Sequence, residues 1–533
     1  MSKRPERSLR TPWVDISAIP NTYVANPLVG QNVFLTMPAE EAEVPSFGES
    51  KELLPSPHWE GHENVLRTYW RTWELAFGNL RTVNPESGFV ANFIDTAFND
   101  CTFMWDSCFM LMFGRYGSRA FSFLRTLDNF YARQHADGFI CREIGVEKGD
   151  DRFFRFDPAS TGPGLMPWTE WEYYLNFGDR ERLARAFPVL LAYHQWFRAY
   201  RTWPDGSYWG TGWATGMDNQ PRPDKGVPYY HAAKYHQHMT WVDVCLQQLL
   251  SAKLLVAMGR ELGREAEAAD MRAEAQFLAR YVNARLWDEE THYYYDRRRD
   301  GTRTGVKSIG AYWALLAGAV PRRRLAPFVA HLENPREFKR PHRVPSLSAD
   351  DPHYDRRGGY WLGSVWPPTN YMVLRGLTQT GYHTLAHEIA RNHLDNVVAA
   401  FEKTRTVFEN YAPEAAAPGN ASRKDFVGWG GLGPIAVLME YVFGLRADVR
   451  RNRLVWDVNL LEAHGVTGYP FGRKGLLTLR CAARASADKR PRLEVESNVP
   501  LKLEVRWPGG KEVVRVPAPH SFGSGGTSRS RAL

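Results

Sequence analysis

The chain has 533 residues, of which 44% are hydrophobic and 24% charged, the balance of a folded protein able to bury a sizeable core. Its 67 Lys and Arg against 59 Asp and Glu leave a formal charge of +8. The excess is thinly spread apart from Arg297 to Arg299, Arg322 to Arg324 and the two termini, which argues against nucleic acid as a partner.

Five scattered cysteines without a C-x-x-C pair argue against a disulfide framework or a zinc cluster and fit a reducing cytoplasm. The basic, polar stretch from Met1 to Trp13 has no apolar segment after it, and no run of about 18 apolar residues is evident, so neither a standard secretion signal nor a membrane partner is expected.

Residues 1–57 are rich in Pro and carry no sustained period, and read as an N-terminal arm laid over the main body with a few short strands. Residues 58–446 change to long amphipathic segments. Helical spacing is clear over His62 to Leu80, Ser118 to Gln134, Arg180 to Arg201, Ala232 to Met258, Glu265 to Leu286, Thr369 to Thr380 and Thr384 to Lys403. Weaker patterns predict helices near Met104 to Phe113, Leu165 to Phe177, Ser308 to Ala319, Arg322 to His331 and Gly430 to Phe443. About twelve helices alternating with Gly- and Trp-bearing loops suit an inner and an outer ring of six, whose connections build a funnel on one face. Residues 447–522 alternate apolar and polar positions, at Val455 to Asn459, Leu476 to Ala482, Arg492 to Glu496, Leu501 to Arg506 and Glu512 to Val516, and predict a small antiparallel β-subdomain. Residues 523–533, rich in Gly, Ser and Arg, predict a disordered tail.

The chain is rich in aromatics, with 19 Trp, 24 Tyr and 28 Phe, and many stand beside Gly, Asp or Asn rather than inside apolar runs. Such rings can act as platforms for sugars, although most must pack the core. Two segments carry candidate acid and base groups. Trp213 to Arg222 reads W-A-T-G-M-D-N-Q-P-R, and a carboxyl at Asp218 on this Gly-flanked loop can project into a cavity, or alternatively close a turn with Asn219 and Pro221. Phe408 to Glu414 reads F-E-N-Y-A-P-E directly after a long helix; Glu409, tight against aromatics, is favoured over Glu414, the alternative being a simple ion pair with a nearby Arg or Lys. Three more segments place an aromatic next to a group able to bind paired hydroxyls: Trp105 and Asp106, the stretch Asp137 to Glu143 with Arg142, and Gly359 to Tyr371 with Tyr360, Trp361, Gly363, Trp366 and Asn370.

The order W-D, G-M-D-N-x-P-R, Y-W-x-G-x-V-W-P-P-x-N-Y, E-N-Y-x-P and G-W-G resembles the inverting glycosidases of families 63 and 37, and among them the bacterial enzymes of the mannosylglycerate hydrolase kind. The resemblance covers about residues 60 to 445. It implies an all-α (α/α)6 barrel acting on a small α-glucoside, an α-mannoside or a glycosylglycerate, with Asp218 as general acid and Glu409 as general base. It further implies that Asp106, Trp361, Trp366 and Asn370 grip the sugar, and Trp105, Gly216, Tyr360, Gly363, Tyr411 and Trp429 complete the expected substrate-binding set. Arg222 is expected to orient Asp218 or the substrate, and Arg142 or Arg222 to hold an aglycone carboxylate. Gln220 stands where relatives commonly carry Ser.

An inverting pair is expected to sit roughly 6.5 to 9.5 Å apart, with Asp218 in the drier setting and Glu409 able to reach water. No metal or cofactor is expected, there being no phosphate loop or dinucleotide fingerprint. Two other classes fit parts of the pattern: a sugar epimerase using His231, His236 and His238, and a non-catalytic carbohydrate-binding protein.

Overall fold

The structure, a computed structural model, describes residues 24–96, 100–222, 233–518 and 531–532. The first 23 residues of the arm, His231 and most of the expected tail lie outside them. Helix α1 (Glu63–Gly78) buries Val65, Tyr69, Thr72, Trp73 and Ala76, one face at three- and four-residue steps. Then come α2 (Met104–Gly114), α3 (Thr126–Ala132), α4 (Met166–Phe177), α5 (Arg180–Tyr200), α6 (Val242–Leu262), α7 (Ala269–Tyr281), α8 (Arg322–Ala330), α9 (Pro367–Gln379), α10 (His383–Thr404) and a π-wound segment, Leu432–Val442.

Burial sorts these helices. Every residue of α2 except Trp105 is buried, as is the whole π-wound segment, which requires neighbours on all sides. In contrast, α1, α7 and α10 keep a polar face. Among the buried set, α2 packs on α4, α4 on α6, and α6 on a single helical turn, Trp313–Leu316; that turn packs on α9, α9 on the π-wound segment, and the latter on α2 again. Outside them α5 lies on α4 and α6, α7 on α6, and α10 on α9, α1 and the π-wound segment. By length and composition α6 could cross a bilayer, but most of it is buried in this core.

Several predicted helices are shorter than their periodicity suggests. The expected helix over Ser118 to Gln134 reduces to α3 after a 3-10 turn, because Phe121 and Phe123 turn edge to face at 5.0 Å and Phe123 fills the space that Gly114 and Gly117 leave open. Helix α6 begins at Val242, ten residues after the expected Ala232, since Gln237 and His238 take left-handed φ of 51° and 52°.

Apart from three two-stranded ladders among the helices, the strands form two sheets, most of whose members follow the helices. Strand β1 (Ser56–Trp59), from the N-terminal side, pairs with β4 (His464–Phe471); the rest are β2 (Leu445–Asp448), β3 (Arg453–Asp457), β5 (Gly475–Cys481), β6 (Leu493–Ser497), β7 (Leu501–Trp507), β8 (Gly510–Val516) and β9 (Arg531–Ala532). One sheet runs β1-β4-β5-β6-β9 and is antiparallel. The other runs β8-β7-β3-β2, and there β3 and β7 are parallel, so the expected antiparallel subdomain is mixed. The strand that enters from β1's side of the chain is what the local alternation could not reveal. Helices and strands share one hydrophobic core.

Two helix starts aim loops at one end of the helical part. Pro167 stands in the first turn of α4 and Pro367 and Pro368 in that of α9, where a missing N–H costs nothing. The segments entering α2, α4, α9 and the π-wound segment therefore converge, and the candidate site lies where they do.

Candidate active site

Asp218 stands in a turn after one helical turn, Gly212–Thr215. Thr211 caps that turn by accepting the Ala214 N–H, and Gly216 ends it with a φ of 70°, which glycine enters without strain. A side chain at 216 would also come within 2.9 Å of the Trp105 ring, so the glycine lets that indole lie on the backbone. Asn219 ties the turn across the pocket: its amide donates to the Gly359 carbonyl at 3.0 Å, and its own oxygen accepts the Trp361 N–H at 2.8 Å.

Glu409 is held from the other side. Its N–H donates to the Arg423 carbonyl (3.0 Å), the Arg423 N–H donates to Glu409 Oε2 (3.2 Å), and the Trp429 indole donates to the Glu409 carbonyl (2.7 Å). The Tyr360 hydroxyl reaches Oε1 at 3.3 Å, from a residue with a left-handed φ of 65°, an uncommon conformation for a bulky side chain and one that costs energy. Glu409 is 3% exposed. Burial pushes its carboxyl up to about 7; the Arg423 N–H and charge and the Tyr360 hydroxyl pull against that rise, and Asp218 adds to it.

Asp218 and Glu409 line one pocket of about 310 Å³ together with Trp105, Asp106, Arg142, Gly216, Tyr360, Trp361 and Trp429. Asp106, in the first turn of α2, is 5% exposed, and burial and then Glu409 push its carboxyl well above the usual carboxylate range. Phe153, Trp213, Glu143 and Arg423 line the same space. Sequence reasoning did not assign these four to the site. Trp213 sits inside the quoted Asp218 segment and could have been included; Arg423 lies in a loop without any motif, and only the fold returns it to Glu409.

The setting of the two carboxyls differs from expectation. Asp218 is half-buried and Glu409 is the drier group, because the Arg423 backbone, Tyr360 and Trp429 close around it. Glu414 is elsewhere: Arg340 grips both of its oxygens, at 2.7 and 3.0 Å, and Tyr354 donates to it.

Five of the singled-out residues do not line the pocket. Arg222, 1% exposed, spends its guanidinium on Asp243 and Asp296, with four contacts of 2.6 to 2.7 Å, and stacks on Trp241 at 4.2 Å; it is therefore turned away from Asp218 and from any substrate. Trp366 lies one layer behind the wall, flat on Trp361 with ring centroids 3.9 Å apart. Asn370 exchanges hydrogen bonds with the Val344 backbone, Tyr411 accepts the Phe408 N–H, and Gly363 packs on Tyr354. Arg142 does line the pocket, but its guanidinium is engaged by Glu143 and the Trp213 carbonyl and lies over the Phe153 ring at 5.1 Å.

Chemically, the pocket offers two enclosed carboxyls, Asp106 and a Glu409 poised near neutrality, and the half-buried Asp218, among indole side chains suited to a sugar ring. His236 and His238 pack with Trp203 and do not line it. Among the described residues no group of three or more His, Cys, Asp and Glu is arranged to hold a metal ion.

Residues 100–427 match the family described as the mannosylglycerate hydrolase MGH1-like glycoside hydrolase domain. The mannosylglycerate hydrolase of Thermus thermophilus is 24% identical over 364 residues, covering 55% of this chain and 85% of that protein. The solved structure of the family 63 mannosylglycerate hydrolase of Thermus thermophilus in complex with glucose superposes with a TM-score of 0.56 at 19% identity, covering 69% of this chain and 99% of that one. Neutral trehalase from Saccharomyces cerevisiae superposes with a TM-score of 0.50 at 15% identity, covering 67% and 76%. These two likenesses show a shared fold.

Proposed function

The chain belongs to the mannosylglycerate hydrolase MGH1-like glycoside hydrolase family, and from that membership we propose that it is an inverting α-glycosidase of a small α-glucoside or α-mannoside. The observation that carries this reading is the placement of Asp218 and Glu409 on one indole-walled pocket, the Asp218 turn tied through Asn219 to the Gly359 backbone and Glu409 held by the Arg423 backbone. Asp218, the more open carboxyl, protonates the departing glycosidic oxygen. Glu409 deprotonates a water that attacks the anomeric carbon from the far face. A base whose carboxyl ionises near 7 is strong enough to take that proton and still largely ionised just above neutrality.

Asp106 is the group that grips sugar hydroxyls, and Trp105, Trp361 and Trp429 form the walls around the ring. Trp366 supports Trp361 from behind, which keeps the platform flat. The aglycone we assign is a small carboxylate such as glycerate. Arg423, 55% exposed with its Nε 4.0 Å from Glu409 Oε2, supports this assignment, since its guanidinium can reach an anion at the mouth. The contact circuit from α2 through α4, α6, α9 and the π-wound segment supports an (α/α)6 barrel with these helices in the inner ring. An epimerase would need histidines at the pocket wall, and among the described lining residues there are carboxylates instead.

The test is turnover of α-glucosides, α-mannosides and glycosylglycerates, read by released monosaccharide, for the natural chain and for Asp218→Asn and Glu409→Gln. Hydrolysis that survives either substitution would remove that residue from the mechanism.

A further inference from the structure

A second cavity, of about 660 Å³, lies between α4 from Glu170 onward, the start of α5 and the turn joining β4 to β5. It is roughly twice the volume of the candidate active site and within the range of small-molecule sites. Its charges do not cancel. The acids on its wall are already committed: Asp128 and Glu170 are paired with the buried Arg182, and Asp179 caps α5 by accepting the Arg182 N–H at 3.0 Å. Arg125 is matched by Glu40 and Asp128. Arg185, Arg473 and Lys474 face the same space, and among the described residues none of them forms an ion pair. Phe177, Leu124 and Leu476 supply an apolar side to the wall.

We propose that this cavity is a second ligand site, which binds the phosphate monoester of a small polyol or sugar. Three cations from two separate elements, α5 and the β4–β5 turn, converge on one concave space, and a dianion with three acceptor oxygens matches several such donors at once better than a carboxylate does. The apolar side accommodates the body of the ester. The site is separate from the glycosidase pocket: no residue lines both, and α4 meets that pocket only through the residues leading into it, Pro163 and Leu165, while it meets this cavity from Glu170 to Phe177.

Calorimetric titration of the full chain with glucose 6-phosphate, glucose and inorganic phosphate at constant ionic strength tests the proposal. Saturable binding of glucose 6-phosphate that saturating glucose does not displace is expected, with weaker binding of inorganic phosphate. Arg185→Glu and Lys474→Glu, both at exposed positions, should each weaken it by about tenfold or more. Glu409→Gln should leave it unchanged. Absence of saturable binding, indifference to both charge reversals, or loss of binding in Glu409→Gln would overturn the proposal. Equal affinity for inorganic phosphate would overturn the assignment to an ester. None of these outcomes depends on whether the glycosidase reading holds.

Discussion

Glu409 and Arg423 are bound to each other twice, once backbone to backbone and once backbone to carboxylate: the Glu409 N–H donates to the Arg423 carbonyl at 3.0 Å, and the Arg423 N–H donates to Glu409 Oε2 at 3.2 Å. The loop between them is thereby pinned over the carboxylate, which explains both its dryness and its fixed direction. A base that must orient one water gains from such rigidity, because misplacement of a reacting group is costly in rate.

Replacing Asp218 by Asn or Glu409 by Gln should lower kcat by about 10³-fold or more, since proton transfer and charge placement are lost together. Circular dichroism should show both variants folded. Glu414→Gln is the contrast: its carboxyl is spent on Arg340 and Tyr354, so turnover should fall less than about tenfold.

The pH profile should report Glu409. The base acts only when ionised, and burial raises its carboxyl to about 7, so the acidic limb of kcat/KM should fall about tenfold per pH unit below that value, and a basic limb should follow where the acid Asp218 loses its proton. A limb centred near 4.5 would mean that the base is an ordinary carboxylate.

The same shift predicts a stability effect of defined sign. Between about 4.5 and 7 the folded state holds a proton at Glu409 that the unfolded chain has released, so this group costs stability as pH rises through that window. Glu409→Gln removes the cost. Its gain over the natural chain should be absent below pH 4.5 and grow to roughly 3 kcal/mol above pH 7, read as a rising difference in Tm.

Arg222→Ala should be a stability variant rather than a binding variant. It leaves Asp243 and Asp296 buried without their cation, a loss of about 3 to 5 kcal/mol, and Arg222→Lys should restore only part of it because an ammonium cannot fork to both carboxylates. Wherever the variant is still folded, KM should be near that of the natural chain. Arg423→Ala should do the opposite, raising KM for an anionic aglycone by about tenfold with Tm little changed, while for neutral glycosides only the acidic limb of the pH profile moves upward.

What the sequence revealed follows the range of the interactions involved. Strong periodicity located α1, α5, α10 and most strands, because amphipathic faces are written locally. The turns bearing Asp218 and Glu409 were marked by Gly, Asn and aromatics at fixed offsets. What could not be read is what distant segments do to each other: β1 joining β4, β3 running parallel to β7, and Arg423 folding back on Glu409. Arg222 shows the same limit from the other side. Its place in the Asp218 motif suggests a ligand contact, yet two aspartates at 243 and 296, far along the chain, claim it.

The proposed mechanism is tested most directly by the configuration of the sugar at the moment of release. Proton NMR during the first minutes of hydrolysis of an α-linked substrate should show the β-anomer first, decaying to the equilibrium mixture by mutarotation, as attack by a Glu409-activated water on the face opposite the leaving group requires. Initial release of the α-anomer, or a glycosyl group trapped on Glu409, would contradict inversion and with it the assignment of Glu409 as a base.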